Sequence, residues 1–358
     1  MSSFSLKSFL LTAVALLPVV FANTELVDEN MEALKTKNPV FGDFDFFDTR
    51  HPRGGLEGLP AARYTKHEMP WGTVPNFCLE YATQQKDGKP YCENIYALEV
   101  YEVEYDDCPG HTIPMCRCPD APLSIDDLSY DLGKIPIKAR QWVTSVTARP
   151  SHTGDPEHCD AAAPLRGIWM NGNCKRKENF WFHEVAHILD HAALPRTEPD
   201  RWYWSEQAQW RNTVIGAADC VPDNYSLTGW AESFAQFAVL AAYHHNVQDL
   251  YEAFPGDELN CLGYPLDLVI ELTRNLFAPN QVCDESIHEH DEYSEYVCMG
   301  PQARAQGACE DVPDWQGPFY RGNETAVQAA LETYQNDVNH VWGSSTKSLN
   351  RRRRALRV

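Results

Sequence analysis

Twelve cysteines constrain what this chain can fold into more than any other feature of its sequence. All of them follow an N-terminal segment typical of a signal peptide, in which Lys7 supplies positive charge, residues 9–21 are apolar and Ala22 precedes the expected cleavage. A secreted chain folds in an oxidising compartment, where cysteines pair as disulfides. The sequence therefore predicts a secreted, extracellular protein with a disulfide-rich fold.

The spacing of the cysteines makes two further predictions. Five cysteines lie between residues 78 and 118, so at least one of them must pair outside that cluster if all are bonded. Fourteen residues separate Cys159 from Cys174. Such a short loop closes at low entropic cost, and we expect these two cysteines to pair.

The chain divides into four predicted regions: a signal peptide (1–22), an extension or propeptide (23–75), a main domain (76–345) and a basic tail (346–358). No stretch after the signal peptide has the ~18 consecutive apolar residues of a membrane span, so we expect no membrane role. The net charge is −21, which argues against nucleic acid as a partner because both would be anionic.

Secondary-structure patterns predict an α+β fold, with strands in the first half and mostly helices in the second. Alternating, β-branched or aromatic segments predict three strands, at 95–105, 141–148 and 166–170. Helical patterns predict helices near 200–215, 229–243, 266–277 and 324–341.

The segment NFWFHEVAHILDH, residues 179–191, places histidines four residues apart in an apolar stretch. On a helix such residues share one face, so His183 and His187 can direct ring nitrogens at a single ion. Glu184, turned about 100° from His183, is placed to contact a water on that ion. This pattern predicts one Zn²⁺ per chain. The competing interpretation is a pair of hydrogen-bonded core histidines, with Glu184 in a salt bridge.

A zinc site of this kind needs a third protein ligand. His191 continues the same helix face, but ligands at i, i+4 and i+8 spread over about 12 Å of axis and cannot share one ion. We expect Glu232, an isolated carboxylate in an apolar helix, to be the third ligand, with Gln236 one turn on as a supporting contact. If Glu232 only interacts with its own helix dipole, Asp219 is among the alternatives.

An H-E-x-x-H helix followed by a glutamate ligand on a later helix resembles the gluzincin arrangement of zinc metallopeptidases. The segment from Tyr225 through GWAESFAQ is similar to the second motif of the anthrax lethal factor-like catalytic domain, where a tyrosine precedes the glutamate ligand by about two helical turns. The chain departs from that pattern in its many cysteines and in Ser233, where that family usually has a bulky residue. A signal peptide with many disulfides and no other module is also similar to small secreted proteins of filamentous fungi, including a conidiation-specific family.

The metallopeptidase resemblance implies that residues 76–345 form a zincin-like metallopeptidase domain. It also implies a secreted zinc-dependent endopeptidase acting on a peptide or protein substrate. In that interpretation Glu184 is the general base and Tyr225 donates a hydrogen bond to the oxyanion, with Tyr243, His244 and His245 as reserves. The alternative is a non-catalytic secreted or cell-surface protein with a relic or structural zinc site. Retention of Glu184 favours the enzyme, since a relic is expected to lose its base first.

Two sequons, Asn224-Tyr225-Ser226 and Asn323-Glu324-Thr325, predict glycosylation in a eukaryotic host. The first of them contains Tyr225. A glycan on Asn224 would crowd the cleft in which the resemblance places a substrate.

Overall fold

The structure is a computed structural model that describes residues 30–41, 55–69, 74–86, 89–92 and 97–291, except 152, 154, 156, 288 and 290. Strands occupy mainly the first half of this part of the chain and helices the second, which confirms the predicted α+β, disulfide-rich class. The predicted signal peptide, basic tail and helix at 324–341 lie outside the described residues, as does the sequon at Asn323.

A six-stranded mixed sheet forms one side of the fold. Its strands are β2 (Tyr64–Glu68), β5 (Glu99–Tyr105), β6 (Thr112–Arg117), β7 (Ser145–Arg149), β8 (Cys159–Ala162) and β9 (Gly167–Gly172). Their spatial order is β2-β5-β6-β7-β9-β8, with parallel pairing of β6 to β7 and of β7 to β9 and antiparallel pairing elsewhere. Two small two-stranded sheets pair β1 (Asn38–Pro39) with β10 (Cys220–Val221) and β3 (Gln85–Lys86) with β4 (Lys89–Pro90).

Helices pack against the sheet and supply most of the other regular secondary structure in the described ranges. The α-helices are α1 (Met31–Lys35), α2 (Asn76–Thr83), α3 (Ile125–Gly133), α4 (Ile137–Arg140), α5 (Glu178–Ala192), α6 (Ala208–Ala217), α7 (Trp230–Asn246), α8 (Leu250–Ala253) and α9 (Gly263–Thr273). Single 3-10 turns occupy Leu56–Gly58, Trp204–Glu206, Tyr225–Leu227 and Asn260–Leu262. Helix α5 packs along α7, and α7 in turn packs along α9.

The two central helices, α5 and α7, are buried because they are apolar on nearly every side. Phe182, Val185 and Ile188 of α5 are fully buried, as are Phe234 and Phe237 of α7. Two tryptophans are part of this packing: Trp204 ahead of α6 and Trp210 within it are buried, and both lie with their rings against Phe234. A polar side chain on the facing sides of these helices is therefore largely withdrawn from water.

Five disulfides join ten of the twelve cysteines, and none of the described cysteines is free. The bonds are Cys78–Cys116, Cys92–Cys118, Cys108–Cys283, Cys159–Cys174 and Cys220–Cys261. The predicted pair Cys159–Cys174 is confirmed. So is the prediction that the first cluster pairs outside itself, since Cys108 bonds to Cys283. The chain segments enclosed by the three bonds that begin at Cys78, Cys92 and Cys108 overlap in sequence.

Element boundaries differ most from prediction at the helix expected over 200–215. It begins at Ala208 instead, after the 3-10 turn Trp204–Glu206. That turn is held from α5, because the buried Asp190 carboxylate accepts hydrogen bonds from the backbone N–H of Ser205 at 2.7 Å and from its hydroxyl at 2.5 Å. A tertiary contact therefore overrides the local helix signal.

The described parts of residues 23–75 belong to the same fold. Strand β2 forms one edge of the main sheet, and Leu34 and Leu56 are fully buried. The alternatives of an extension and a propeptide stay predictions. None of the helices in the described ranges has both the length and the apolarity needed to cross a bilayer.

Candidate metal centre

Helix α5 supplies two histidines to a buried polar cluster. His183 and His187 are one turn apart, and their ring centroids lie 4.6 Å from each other. The two Nε2 atoms are 3.0 Å apart. Both side chains are buried, because the apolar residues on either side pack α5 against the sheet and α7. The structure thus has the one-face arrangement that the four-residue spacing predicts.

Glu232, in the first turn of α7, completes the cluster. Its Oε2 lies 2.9 Å from His183 Nε2 and 3.1 Å from His187 Nε2. Together with the distance between the histidines, these values describe a nearly equilateral triangle of three ligating atoms. Donors bound tetrahedrally to zinc at ~2.0–2.1 Å stand about 3.3 Å apart, so the triangle is only slightly tighter than such a site requires.

The charges in the cluster are strongly coupled. Burial on its own would lower the pKa of His187, but the Glu232 carboxylate outweighs it and raises that pKa to about 9. Burial likewise acts to raise the pKa of Glu232, whereas His187 and His183 hold it well below its usual range. A positive charge at this position is therefore favoured, and either a proton or a metal ion can supply it.

A chain of hydrogen bonds fixes the orientation of His183. Its Nδ1 lies 3.1 Å from Oε1 of Gln236, and the Gln236 side-chain amide donates to the carboxylate of Asp223. Because a carboxylate only accepts, Gln236 must present its oxygen to His183, and Nδ1 must carry the proton. In the neutral imidazole this leaves the lone pair on Nε2, toward Glu232 and His187. Gln236 thus contacts His183 directly, in the position that its predicted supporting role requires.

Asp223 is anchored in the turn that precedes α7. It accepts from the backbone N–H of Ser226 at 2.9 Å and from the Ser226 hydroxyl at 2.8 Å, and it also accepts from the backbone of Tyr225. Burial raises the pKa of Asp223. We call the series Ser226–Asp223–Gln236–His183 the positioning chain. Sequence reasoning missed Asp223, although an aspartate three residues before a serine is a recognisable turn signal.

Glu184 lies beside the cluster and is buried, with 4% of its surface exposed. Burial raises its pKa, opposed by His183 and His187. Its Oε2 has no hydrogen-bond partner among the described residues. Such an orphaned acceptor is costly unless a donor outside the protein satisfies it. Water on a cation held by the neighbouring histidines is a donor of that kind.

Tyr225 borders the cluster from the 3-10 turn Tyr225–Leu227. Its ring centroid is 5.6 Å from that of His183, and 46% of the residue is exposed. Burial raises its pKa, and Glu232, Glu184 and Asp160 raise it further. Asp160, on the edge strand β8, thus belongs to the electrostatic surroundings of the cluster, and no sequence signal marked it.

The other residues considered for the site in the sequence lie outside the cluster. His191 Nδ1 lies 3.2 Å from the backbone oxygen of Trp202, and His245 Nε2 lies 2.9 Å from that of Ile270. His244 and Tyr243 stand with His245 at the far end of α7, and eleven residues of helix at about 1.5 Å each separate even Tyr243 from Glu232. Asp219 is exposed and is absent from the cluster.

Two groups of described residues bring three ligating atoms within 4.8 Å of one another. One is His183, His187 and Glu232. The other is His111 with Cys108 and Cys283, but those cysteines are bonded to each other and offer no thiolate in the oxidised protein. The first group fits a divalent metal better, because two imidazoles and a carboxylate are a ligand set that zinc takes, and Glu184 has an unsatisfied acceptor beside it.

The fold and the cluster define a disulfide-linked α+β protein with a candidate metal centre between two buried helices. The chain belongs to the conidiation-specific protein Con-13 family, whose model matches residues 42–342. A curated relative is conidiation-specific protein 13 of Neurospora crassa, which is 36% identical over 257 residues that cover 72% of this chain and 70% of the relative. No solved structure matches the chain.

These comparisons correct the expectation that the chain is a zinc metallopeptidase. Both matches are to proteins described as conidiation-specific, and neither description names a protease. The gluzincin and lethal factor-like resemblances rest on a motif geometry that can hold a metal ion without catalysis. The roles predicted for Glu184 as base and Tyr225 as oxyanion donor presuppose the peptidase, and they stay predictions. Disulfides and a relative from a fungus are compatible with secretion.

Proposed function

We propose that this protein is a secreted, non-catalytic protein that binds one zinc ion through His183, His187 and Glu232. The observation that carries the proposal is the convergence of three ligating atoms, 2.9 to 3.1 Å apart, from two helices in the buried core. Bound there, zinc would supply a structural cross-link between α5 and α7. Its charge would compensate the carboxylates that face the cluster.

Two observations support a metal rather than a proton alone. The positioning chain directs the Nε2 lone pair of His183 into the triangle. A proton on His187 satisfies Glu232, but it leaves Glu184 Oε2 without a partner among the described residues. Zinc is favoured over iron, which takes a similar ligand set, because zinc is redox-inert in an oxidising compartment.

Elemental analysis of the secreted full-length protein tests this proposal. We expect one zinc per chain in the wild type and substoichiometric zinc in His187→Ala and Glu232→Ala. His191→Ala is the matched control, because it removes the next histidine on α5 without touching the cluster, and we expect it to keep one zinc. Equal zinc in all four proteins, or none in the wild type, contradicts the proposed site.

The non-catalytic part of the proposal needs a separate measurement. The zinc-loaded protein is incubated with a random peptide pool beside its Glu184→Gln variant, which keeps the ligands and the side-chain shape. We expect no cleavage by either protein. Cleavage by the wild type that is lost in Glu184→Gln would overturn the non-catalytic proposal while leaving the metal site in place.

A further inference from the structure

The turn next to the metal cluster contains the sequon Asn224-Tyr225-Ser226. Asn224 is exposed, whereas Ser226 is fully buried under it. Between them, Tyr225 directs its ring toward His183, with 5.6 Å between the ring centroids. The acceptor asparagine therefore stands on the surface one residue from a side chain that borders the cluster.

We propose that Asn224 carries an N-linked glycan that covers the outer side of the metal cluster. The modification itself needs only secretion, while its position as a cover rests on the proposed metal site. In the transfer step, the side-chain nitrogen of Asn224 forms a C–N bond to the first sugar of a lipid-linked oligosaccharide diphosphate. The amide loses a proton, and the lipid diphosphate leaves.

The geometry of the turn determines whether the glycan is attached before or after the turn folds. The Ser226 hydroxyl donates to Asp223 at 2.8 Å and is buried, so the folded turn does not offer it to a transferring enzyme. Transfer must therefore precede closure of the turn, as it can when a chain enters the secretory compartment unfolded. Once the turn has closed, Asn224 is exposed, so a glycan already attached there stays on the surface of the folded protein.

The glycan would exclude large molecules from the cluster but admit small ones. Tyr225 is 46% exposed, so water and small solutes reach the edge of the cluster. A hydrated glycan on the neighbouring residue leaves that access to small molecules but obstructs anything of macromolecular size. This is the behaviour expected of a metal site that serves the fold rather than a protein substrate.

Mass spectrometry of glycopeptides tests the modification on the full-length chain secreted from a eukaryotic host. We expect a glycan on the peptide containing Asn224 and its loss in Asn224→Gln. The matched control is Asn323→Gln, which removes the other sequon and should leave the Asn224 peptide glycosylated. An unmodified Asn224 in the wild type overturns the proposal.

Two tyrosine reagents of different size test the cover without reference to metal. Tetranitromethane measures small-molecule access to Tyr225, and a diazonium group attached to a polymer measures macromolecular access. We expect polymer coupling at Tyr225 to rise severalfold in Asn224→Gln, and also in wild type deglycosylated after folding, with nitration unchanged. Asn323→Gln should behave as wild type. Equal polymer coupling with and without the glycan overturns the cover. Zinc measured in the same samples reports separately on the metal site.

Discussion

The sheet side of the molecule and the α5–α7 helix pair are stabilised in different ways. Disulfides reach the sheet through β6, whose Cys116 bonds to Cys78 of α2, and through β8, where Cys159 bonds to Cys174. The two central helices contain no cysteine. They are held by apolar packing and by one cluster of ionisable groups.

This difference predicts which perturbation each region senses. A disulfide acts mainly by restricting the unfolded chain, so it responds to reductants and little to pH or chelators. A cluster of histidines and carboxylates gains its energy in the folded state and loses it when protons or cations change. The two regions should therefore be separable by experiment.

The largest expected effect comes from removing a disulfide on the sheet side of the molecule. The double substitution Cys92→Ala/Cys118→Ala opens a loop of 26 residues and should lower the free energy of unfolding by about 3–4 kcal/mol. Urea denaturation at constant pH measures this loss. Zinc content should stay at the wild-type level. A matching loss of zinc would show that the two regions are not separable.

Removal of metal should have the next largest effect, confined to the helix side. Zinc present at about a hundred times its dissociation constant stabilises the folded state by about 2.7 kcal/mol. A chelator should therefore lower the melting temperature of wild type and of His191→Ala, while Glu232→Ala should not respond. Thermal denaturation with and without chelator checks this, and a chelator response retained in Glu232→Ala would remove that residue from the site.

Interruption of the positioning chain should have a smaller effect. Gln236→Met keeps the size of the side chain but removes the acceptor for His183 Nδ1, and we expect zinc affinity to fall about 10- to 100-fold. Ser233→Ala is the control on the same helix. Its buried hydroxyl has no partner among the described residues, so its removal should leave affinity unchanged and stability equal or higher. Competition with a chromophoric chelator measures both, and equal affinities would contradict the role of Gln236.

Counted per pH unit, the smallest effect is a pH dependence of opposite sign in the two metal states. The pKa of His187 is raised from 6.5 to about 9, with Glu232, Glu184 and Asp190 as the facing carboxylates. Without metal, the stability from this raised pKa is complete below pH 6.5 and is lost as pH rises through about 9. With metal, the same proton must be displaced, so zinc affinity should rise by up to about tenfold per pH unit over that window. Melting curves at several pH values test this, and parallel trends would contradict it.

Much of the metal centre could be predicted from local sequence. The spacing of His183 and His187 is sufficient because helix geometry converts it directly into a shared face. Glu232 was predicted because it is a charge in an apolar helix, and the structure places its carboxylate against both histidines. Asp223 could not be placed in this way, since its contact with Gln236 depends on how the preceding turn packs on α7.

The disulfides show the same limit: a pairing could be predicted only where it depends on local sequence. The pair Cys159–Cys174 was predictable from a short separation, but Cys220–Cys261 and Cys108–Cys283 depend on tertiary packing. Activity was the least predictable property. The H-E-x-x-H spacing specifies how two rings meet, and the same geometry serves a structural ion as well as a catalytic one, so the motif led to a peptidase that the family comparisons do not support.

The overlapping bonds from Cys78, Cys92 and Cys108 have a consequence for proteolysis of the chain. Cys78–Cys116 encloses the first part of the interval from Cys78 to Cys283, and Cys92–Cys118 overlaps it. Cys108–Cys283, with a sequence separation of 175, encloses the rest. Every peptide bond between Cys78 and Cys283 is thus enclosed by at least one of these cross-links. A protease that cuts once in this interval produces a nicked molecule of unchanged mass apart from one added water. The two pieces part only after reduction.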